Sequence, residues 1–398
     1  MNHIPFSPPD ITQAEIDAVA EVLRSGWITT GPKTKEFERE LAAYCGTGRA
    51  VCLNSATACL ELTLRLFGIG PEDEVITSAY TYTASASVIA HVGAKIVFVD
   101  TAPESYEMDY DALAAAITPR TKAVIPVDVG GILCDYDRIL SIVEEKKGLF
   151  SPANALQSQL GRVLVLADAA HSLGAYRGDR RSGAFADFTS FSFHAVKNLT
   201  TGEGGAVVWR QGLGLDDGEI YRQYMLMSLH GQSKDALSKD RLGGWEYDIL
   251  APLYKCNMTD IMAAIGLTQL RRYPALLEKR YALVRTYNQC LSGHSVEYAP
   301  HLGEHAASSC HLYLTRLTGR SEAERNAVIE AMAREGVATN VHYKPLPLLT
   351  AYKNLGFSIA DYPNALAQYQ NELTLPLYST LTEAAAQQVC GTLLRALQ

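Results

Sequence analysis

Lys197 stands at a point in the sequence where an amine could do chemistry. It follows the run DFTSFSF (187–193) and is followed by the glycine-rich segment NLTTGEGG (198–205). Lysine is the side chain that forms Schiff bases with carbonyl compounds, and an apolar setting lowers its pKa so that the free amine is available. A single lysine is far more often a solvated surface charge. The hypothesis of a reactive amine therefore depends on which other residues lie near it.

Asp168 ends a second apolar run, VLVLAD (163–168), and His171 follows three residues later. A carboxylate at the end of a buried strand is costly to remove from water unless it meets a cation. The protonated pyridine nitrogen of pyridoxal phosphate would be such a cation, and its protonation makes the ring an electron sink. For Asp168 taken alone, a helix-capping role is an equally good interpretation.

Residues after other apolar runs suit a phosphorylated ring. The run AVCLN (50–54) is followed by small residues at 55–58 and then an amphipathic helix, whose free N–H groups could bind phosphate. Ser/Thr caps without a ligand are common, however. Ser192 could reach the same phosphate, and Tyr82 is placed to lie over a flat ring, although an aromatic residue opening a helix is more often core. Each signal is weak, but together they are what a pyridoxal-phosphate site needs.

The elements that must position these residues alternate between Arg49 and Trp209. Seven short apolar, β-branched runs occur there, and helical stretches such as YDALAAAI (110–117) separate the earlier ones. This pattern predicts an α/β fold with a mostly parallel sheet of about seven strands wrapped by helices. Short turns join the last strands over 187–209, which predicts one antiparallel strand at the edge. Ligands of such sheets bind beyond the carboxyl ends of the strands.

The pattern changes past residue 210. We expect a large domain over 1–250 and a smaller C-terminal α+β domain over 251–398, with the N-terminal segment able to pack on the small domain. Near the N-terminus, Thr12 and Glu15 fit a capping box that begins a helix, and Gly26 ends it.

Composition excludes several function classes. A chain of 398 residues favours two domains, and its net charge of −8 argues against a nucleic-acid partner. The eight cysteines are scattered without a C-x-x-C pair, which predicts no metal site, no disulfide framework and a reducing cytoplasm. Neither a signal pattern nor an apolar run of bilayer-spanning length is present, so we expect no membrane association.

The motifs together resemble those of the nucleotide-sugar aminotransferases of the DegT–StrS group, which have the aspartate-aminotransferase-like fold of type I pyridoxal-phosphate enzymes. The most specific are FSFHAVKNLTTGEGG (191–205) and, upstream of it, ADAAHSLGA (167–175). Supporting blocks follow the family's order over nearly the whole chain: SGWITTGP (25–32), NSATACLEL (54–62), AYTYTAS (79–85), YKCNMTDIMAAIG (254–266), VHYKPL (341–346) and LPLYSTLT (375–382).

The resemblance implies a role for each residue singled out above. Lys197 would bind the cofactor covalently and then carry the proton between the substrate and cofactor carbons. Asp168 would pair with the pyridine nitrogen, His171 would lie by the ring's phenolic oxygen, and Tyr82 would stack on the ring. The residues that would hold the phosphate are Ala56, Thr57, Ala58 and Ser192.

The resemblance also implies a homodimer whose active sites are built from both chains. In the family a partner side chain, usually Asn, reaches the phosphate. Lys255 occupies that position here, and Asn257 stands where many members have Arg, so the sequence leaves open which of the two reaches it. The implied substrate contacts are Trp27, Thr29, His342 and Tyr343.

Two segments depart from the family pattern. Many members have His and Tyr where this chain has Asp128 and Val129, so substrate contacts at that point do not transfer. The segment 144–161 is predicted to be an inserted loop or a helix extension at the periphery.

The implied reaction is transfer of an amino group, with L-glutamate as donor, to a nucleotide-linked keto sugar such as a 4-keto-6-deoxy or 3-keto hexose. Its place would be amino-sugar biosynthesis for surface polysaccharide or glycoconjugate. A dehydratase of the same fold would carry His in place of Lys197. An aminotransferase for a cyclitol or amino-acid ketone stays open. A pyridoxal-phosphate-binding regulator is disfavoured because the lysine, the aspartate and the phosphate-binding residues are all retained.

Overall fold

The computed structural model describes residues 3–233 and 246–398. At its centre lies a seven-stranded sheet in the order β1-β9-β8-β5-β4-β2-β3. Its strands are β1 (Ala50–Leu53), β2 (Glu74–Ser78), β3 (Lys95–Val99), β4 (Thr121–Ile125), β5 (Leu164–Asp168), β8 (Phe188–Ser192) and β9 (Gly205–Trp209). The short strands β6 (Tyr176–Arg177) and β7 (Arg180–Arg181) form a hairpin outside this sheet. The predicted α/β fold and its seven strands are confirmed.

The antiparallel strand lies in a different place from the one predicted. β9 runs antiparallel to both of its neighbours, β8 and β1, and β1 forms the edge. The prediction of an antiparallel edge strand was therefore wrong in its position. The physical reason is a long-range pairing: β1 bonds along the open side of β9 and covers it, with Leu53 opposite Gly205.

Helices cover both faces of the sheet and continue into the C-terminal region. Those of the first half are α1 (Gln13–Ser25), α2 (Pro32–Cys45), α3 (Ala56–Leu66), α4 (Thr83–His91), α5 (Tyr110–Ala116), α6 (Tyr136–Glu145), α7 (Ala155–Leu160) and α8 (Asp217–Ser228). Those that follow are α9 (Asp260–Leu291), α10 (Glu322–Arg334), α11 (Thr350–Asn354), α12 (Pro363–Asn371) and α13 (Glu383–Ala396). Within the described ranges, no helix combines the length and apolar character needed to cross a bilayer.

The C-terminal half contains a small antiparallel sheet in the order β10-β12-β13. Its strands are β10 (Val296–Tyr298), β12 (Tyr313–Leu317) and β13 (Glu372–Leu375), while β11 (Ala306–Ala307) pairs with β6. The N-terminal segment also contacts the C-terminal half, since Ile4 forms a parallel bridge with Val337. The division into domains at residue 250 stays a prediction.

Helix α1 begins with the predicted capping box, in which Thr12 and Glu15 bond to each other, and ends at Gly26 with φ +76. Its apolar positions do not all face the core of this chain. Ile16 and Leu23 are 54% and 55% exposed. The helix therefore presents apolar side chains on the outer surface of the single chain.

The segment 144–161 differs from a plain loop or helix extension. It contains the separate helix α7, which Asn154 caps and Gly161 ends with φ +72. Asn154 and Gln157 each donate a side-chain hydrogen bond of 2.8 Å to the backbone oxygen of Phe67. The segment thus supplies hydrogen-bond donors to the Phe67 carbonyl group, which lies at the C-terminal end of α3.

Candidate active site

A cavity of about 410 Å³ lies at the carboxyl ends of the parallel strands, a size typical of small-molecule sites. The chain reverses between strand and helix there, so the residues just after each strand face the same space. Most of the residues predicted to bind cofactor or substrate line it: Ala56, Thr57, Tyr82, Asp168, His171, Ser192, Lys197, His342 and Tyr343.

Lys197 lies in the turn that connects β8 to β9. The backbone holds this turn through bonds from Lys197 N–H to the His194 oxygen and from Thr201 N–H to the Phe193 oxygen, each 2.9 Å long. Burial lowers the pKa of the Lys197 amine from its usual range to about 8, although the Asp168 carboxylate opposes the shift. A substantial fraction of this amine is therefore neutral and nucleophilic near neutral pH.

Asp168 is the last residue of β5 and is buried. One of its oxygens accepts a bond of 2.7 Å from the Ser85 hydroxyl and the other a bond of 3.2 Å from Ala170 N–H. Burial raises the pKa of the Asp168 carboxyl, and the charge of Lys197 opposes that rise. Among the described residues, no cation lies within ion-pair distance of Asp168. A buried carboxylate without an ion-pair partner would be stabilised by a cation that binds in the cavity.

The N-terminus of α3 has free backbone N–H groups that could bind an anion. Ser55 caps the helix by accepting a bond of 3.1 Å from Ala58 N–H, so that amide is already used. The N–H groups of Ala56 and Thr57 bond to no acceptor within the described part of the chain. They lie at the positive end of the helix dipole, where a phosphate binds well. The structure therefore favours Ala56 and Thr57 over Ala58 for this role.

Two further features shape the same anion site. β9 begins so close to α3 that a Cβ added at Gly205 would lie 2.4 Å from Ala56 N. Ser192 lies opposite Gly205 in the neighbouring strand β8. Its hydroxyl oxygen accepts a hydrogen bond of 3.3 Å from His194 N–H. The Ser192 hydroxyl proton is therefore free to point into the cavity.

His171 and Tyr343 form one pair on the opposite wall. Gly130 N–H lies 3.2 Å from His171 Nδ1, and His171 Nε2 lies 3.0 Å from the Tyr343 hydroxyl. The Tyr343 ring centroid is 6.1 Å from that of Tyr82, whose side chain is 61% exposed. His342, the next lining residue, bonds to Thr374 through Nδ1 at 2.9 Å.

The amino-acid sequence matches an aminotransferase family almost end to end. A family profile described as "DegT/DnrJ/EryC1/StrS aminotransferase family" covers residues 9–394. The chain belongs to this family.

Individual relatives agree with that membership. The spore coat polysaccharide biosynthesis protein SpsC of Bacillus subtilis is 39% identical over 387 residues, which are 96% of this chain and 94% of that protein. A putative sugar aminotransferase of Streptococcus pneumoniae, solved in its PMP-form, is 54% identical with a TM-score of 0.97 and covers 99% of each chain. PseC of Helicobacter pylori, an aminotransferase involved in the biosynthesis of pseudoaminic acid, is 27% identical with a TM-score of 0.88 over 100% of this chain and 99% of that one.

Family membership confirms the resemblance predicted from the sequence. It also confirms the enzyme class, a sugar aminotransferase, and pyridoxal phosphate as the cofactor. The roles of individual residues stay predictions, and the structure adds where each of them lies.

The residues that line the cavity of this aminotransferase are chemically suited to pyridoxal phosphate. The free amides of Ala56 and Thr57 match a phosphate, and the buried Asp168 matches a protonated ring nitrogen. Lys197 supplies an amine that can be neutral. Tyr82 and Ala170 line the space between these groups, where a flat ring would lie.

Five predicted residues do not line this cavity. One is Ala58, whose amide is used by the Ser55 cap; the other four are Trp27, Thr29, Lys255 and Asn257. These last four form a second cluster around Thr30. The Trp27 indole donates to the Thr30 backbone oxygen at 3.2 Å, and the Asn257 amide donates to the Thr30 hydroxyl at 2.5 Å. Lys255 bonds to the Asn257 side-chain oxygen, and Thr29 accepts a backbone bond of 3.1 Å from Asp260.

The cavity also includes residues that sequence reasoning missed. Phe6 lies 5.7 Å from the His342 ring, and the Ser7 hydroxyl donates to the Val196 oxygen at 3.2 Å. His311 lines the same wall, with its ring 4.3 Å from that of His171. Phe6 and Ser7 lie in an irregular segment without periodicity. His311 also lies in an irregular segment, just before β12, so none of the three positions carried a usable signal.

Asp128, one of the departures from the family pattern, is buried beside the cavity. It accepts bonds from Cys134 N–H at 3.0 Å, the Tyr136 hydroxyl at 2.8 Å and the Ser172 hydroxyl at 2.6 Å. Burial raises the pKa of its carboxyl to about 6. These bonds hold the loop that carries Gly130 against the segment that carries His171.

Proposed function

We propose that this enzyme transfers an amino group from L-glutamate to a nucleotide-linked keto sugar, with pyridoxal phosphate held at Lys197. The product would be an amino sugar for surface polysaccharide or glycoconjugate, in keeping with the name of the Bacillus subtilis relative. The observation that carries the proposal is the meeting of Lys197, Asp168 and the free amides of α3 in one cavity.

Lys197 is suited to both covalent binding and proton transfer. Its lowered pKa makes the neutral amine available near neutral pH, and the same amine can take up and return a proton once it is released. When bound, the cofactor supplies the electron sink that stabilises negative charge at the reacting carbon. The protein therefore has to position groups and move one proton.

In this proposal, Asp168 and the N-terminus of α3 fix the orientation of the cofactor that Lys197 binds. The Ser85 hydroxyl and Ala170 N–H hold the Asp168 carboxylate in place, and a carboxylate so held stabilises a protonated ring nitrogen. The amides of Ala56 and Thr57 attract the phosphate at the other end. A ligand bound at both ends can present only one of its edges to Lys197.

We also propose that the working unit is a homodimer with shared active sites. The cluster around Thr30 lies outside the cavity of its own chain, although the resemblance implies that it contacts cofactor and substrate. Ile16 and Leu23, on the outer side of α1, and Leu250 are about half exposed, and a partner chain could cover them. A second copy of the chain would account for both features.

The experiment that tests the reaction separates its two halves. The cofactor-loaded enzyme is first mixed with L-glutamate alone, and we expect one 2-oxoglutarate per active site without further turnover. A panel of UDP- and dTDP-linked keto sugars is then added, and one of them should give continuous 2-oxoglutarate release. L-aspartate and L-glutamine serve as donor controls. Turnover restricted to cyclitol or amino-acid ketones, or none with any ketone, would contradict the proposal.

A further inference from the structure

Asn198, which directly follows Lys197, joins the turn between β8 and β9 to a distant part of the chain. Its side-chain nitrogen donates to the Ser309 backbone oxygen at 2.7 Å, and its side-chain oxygen lies 2.9 Å from His311 Nδ1. Both partners lie just before β12, more than a hundred residues later. The side chain next to Lys197 therefore connects its turn to the C-terminal half of the protein.

Few other hydrogen bonds tie this turn to distant parts of the chain. Apart from those of Asn198, the one such bond that residues 194–198 form within the described ranges joins the Ser7 hydroxyl to the Val196 oxygen, at 3.2 Å and exposed to solvent. The backbone N–H of Lys197 bonds to the His194 oxygen, inside the turn. The bonds of Asn198 are partly buried, and shielding from water strengthens them.

The Ser309 oxygen determines the direction of both bonds. A backbone oxygen can only accept, so the nitrogen of the Asn198 amide faces Ser309 and the amide oxygen faces His311. That oxygen also can only accept, so His311 Nδ1 must carry a proton and donate it. Burial lowers the pKa of His311 well below its ordinary value, and the charges of neighbouring basic groups add to the shift. The ring is therefore neutral, and its Nε2 carries no proton.

The segment that receives Asn198 is itself held on several sides. Ser309 N–H donates to the Gly131 oxygen at 3.1 Å, in the loop after β4. Arg280 of α9 is 4% exposed and forms no ion pair with any described residue. Its guanidinium instead donates to the Cys310 oxygen at 3.1 Å and to the Leu377 oxygen at 3.0 Å. The turn that carries Lys197 is thus bonded to a segment that three other parts of the chain fix.

We infer that Asn198 and His311 are positioning residues for Lys197, because their side chains hold the turn that carries the amine against the segment before β12. The inference rests on the proposed function, in which Lys197 is the reactive amine. Without these bonds the turn can move outward and the amine gains contact with water. Water stabilises the charged form of the amine, and so would a closer approach to Asp168. Both changes raise the pH at which Lys197 becomes reactive.

The test measures how the reactivity of the Lys197 amine in the apoenzyme depends on pH, by trace acetylation with acetic anhydride and peptide mass spectrometry. The wild-type midpoint should lie near the pKa of the amine, about 8. In Asn198→Ala the midpoint should rise by about half a pH unit or more. Asn154→Ala is the matched control and should keep the wild-type midpoint. Asn154 also donates to a backbone oxygen, that of Phe67 at 2.8 Å, but it does not line the cavity.

Two variants at residue 311 separate the hydrogen bond from packing. The side-chain nitrogen of an asparagine can take the place of Nδ1 as donor, so His311→Asn should keep the wild-type midpoint. His311→Leu removes the donor and should raise the midpoint as Asn198→Ala does. An unchanged midpoint in Asn198→Ala, equal midpoints in the two His311 variants, or a shift of the same size in Asn154→Ala would overturn the inference.

A measurement on the wild-type chain checks the direction of the bonds. Nitrogen-15 NMR of the histidine-labelled apoenzyme, assigned with His311→Asn, should show His311 neutral with its proton on Nδ1. A proton on Nε2, or a charged ring at pH 7, would equally overturn the inference. Neither this spectrum nor the acetylation involves the cofactor or L-glutamate. A failure here is therefore distinguishable from a failure of the proposed reaction, which the release of 2-oxoglutarate tests.

Discussion

At the scale of single residues, the site depends on how burial shifts the pKa values of the Lys197 amine and the Asp168 carboxyl. Removal from water disfavours the charged form of each, and each partly restores the charge of the other. The amine is consequently ready to react near neutral pH, while the carboxylate is stabilised further by a cation. Two predictions follow from these directions.

The first concerns the pH dependence of cofactor attachment to the apoenzyme. Only the neutral amine attacks, and with a pKa of about 8 roughly a tenth of Lys197 is neutral at pH 7, against less than about a thousandth for an ordinary lysine. Stopped-flow absorbance should show the attachment rate rising with pH and levelling above about pH 8. A rate that keeps rising to pH 10, as for a free lysine derivative, would contradict the lowered pKa.

The second concerns Asp168→Asn, which keeps the shape of the side chain and removes its charge. Loss of the charged partner should weaken cofactor binding by roughly thirtyfold or more. The dissociation constant is measured by absorbance titration of the apoenzyme. Asp217→Asn is the control, because Asp217 bonds to the Trp209 indole away from the cavity. Equal dissociation constants for both variants would remove Asp168 from the cofactor site.

At the scale of elements, the pairing of β1 with β9 positions the backbone N–H groups that we propose bind the phosphate. The pairing sets Leu53 opposite Gly205 and so brings the start of α3 against the turn that carries Lys197. Only a residue without a side chain permits this approach at position 205. The position of the antiparallel strand, which the sequence did not predict, therefore has a direct consequence for the site.

Gly205→Ala tests this close approach. Its new Cβ would lie 2.4 Å from Ala56 N, so the α3 amides must move and cofactor affinity should fall at least tenfold, about 1.4 kcal/mol. Gly148→Ala is the matched control, since an added Cβ there meets nothing within 4 Å. Titration of both apoproteins with pyridoxal phosphate gives the comparison. Unchanged affinity in Gly205→Ala would show that the approach does not shape the site.

The elements also show what sequence reasoning can reach. The strands were predicted closely because each is a short, buried, apolar run, and residues at their ends, such as Asp168 and Lys197, were predicted to lie together on that basis. The position of β9 within the sheet was not predicted, because it depends on the pairing of β9 with β1, a strand about 150 residues earlier in the chain. Phe6 and His311 reach the cavity from irregular segments, where no periodicity marks a direction.

At the scale of the whole molecule, the proposed active site is built from two chains. The cavity lacks Trp27, Thr29, Lys255 and Asn257, which cluster around Thr30 elsewhere on the same chain. A symmetric dimer can bring this cluster to the cavity of the partner, because each half of a two-fold interface contacts the other reciprocally.

Mixed dimers test this arrangement. One chain carries Lys197→Ala and the other Lys255→Ala with Asn257→Ala; each variant alone should have little activity. A mixed dimer has one site with both defects and one intact site, so equal mixing should restore about a quarter of wild-type activity per chain. Size-exclusion chromatography with light scattering verifies the dimers. If the cluster serves its own chain, no activity returns on mixing.

The central claim is that the amine of Lys197 holds the cofactor, and borohydride reduction of the loaded enzyme tests it most directly. Reduction fixes the cofactor covalently to whichever amine carries it, and peptide mass spectrometry then locates the label. We predict a single modified peptide containing Lys197, and none in Lys197→Ala. A label on another lysine, or a loaded enzyme that yields no labelled peptide, would contradict this account of the site.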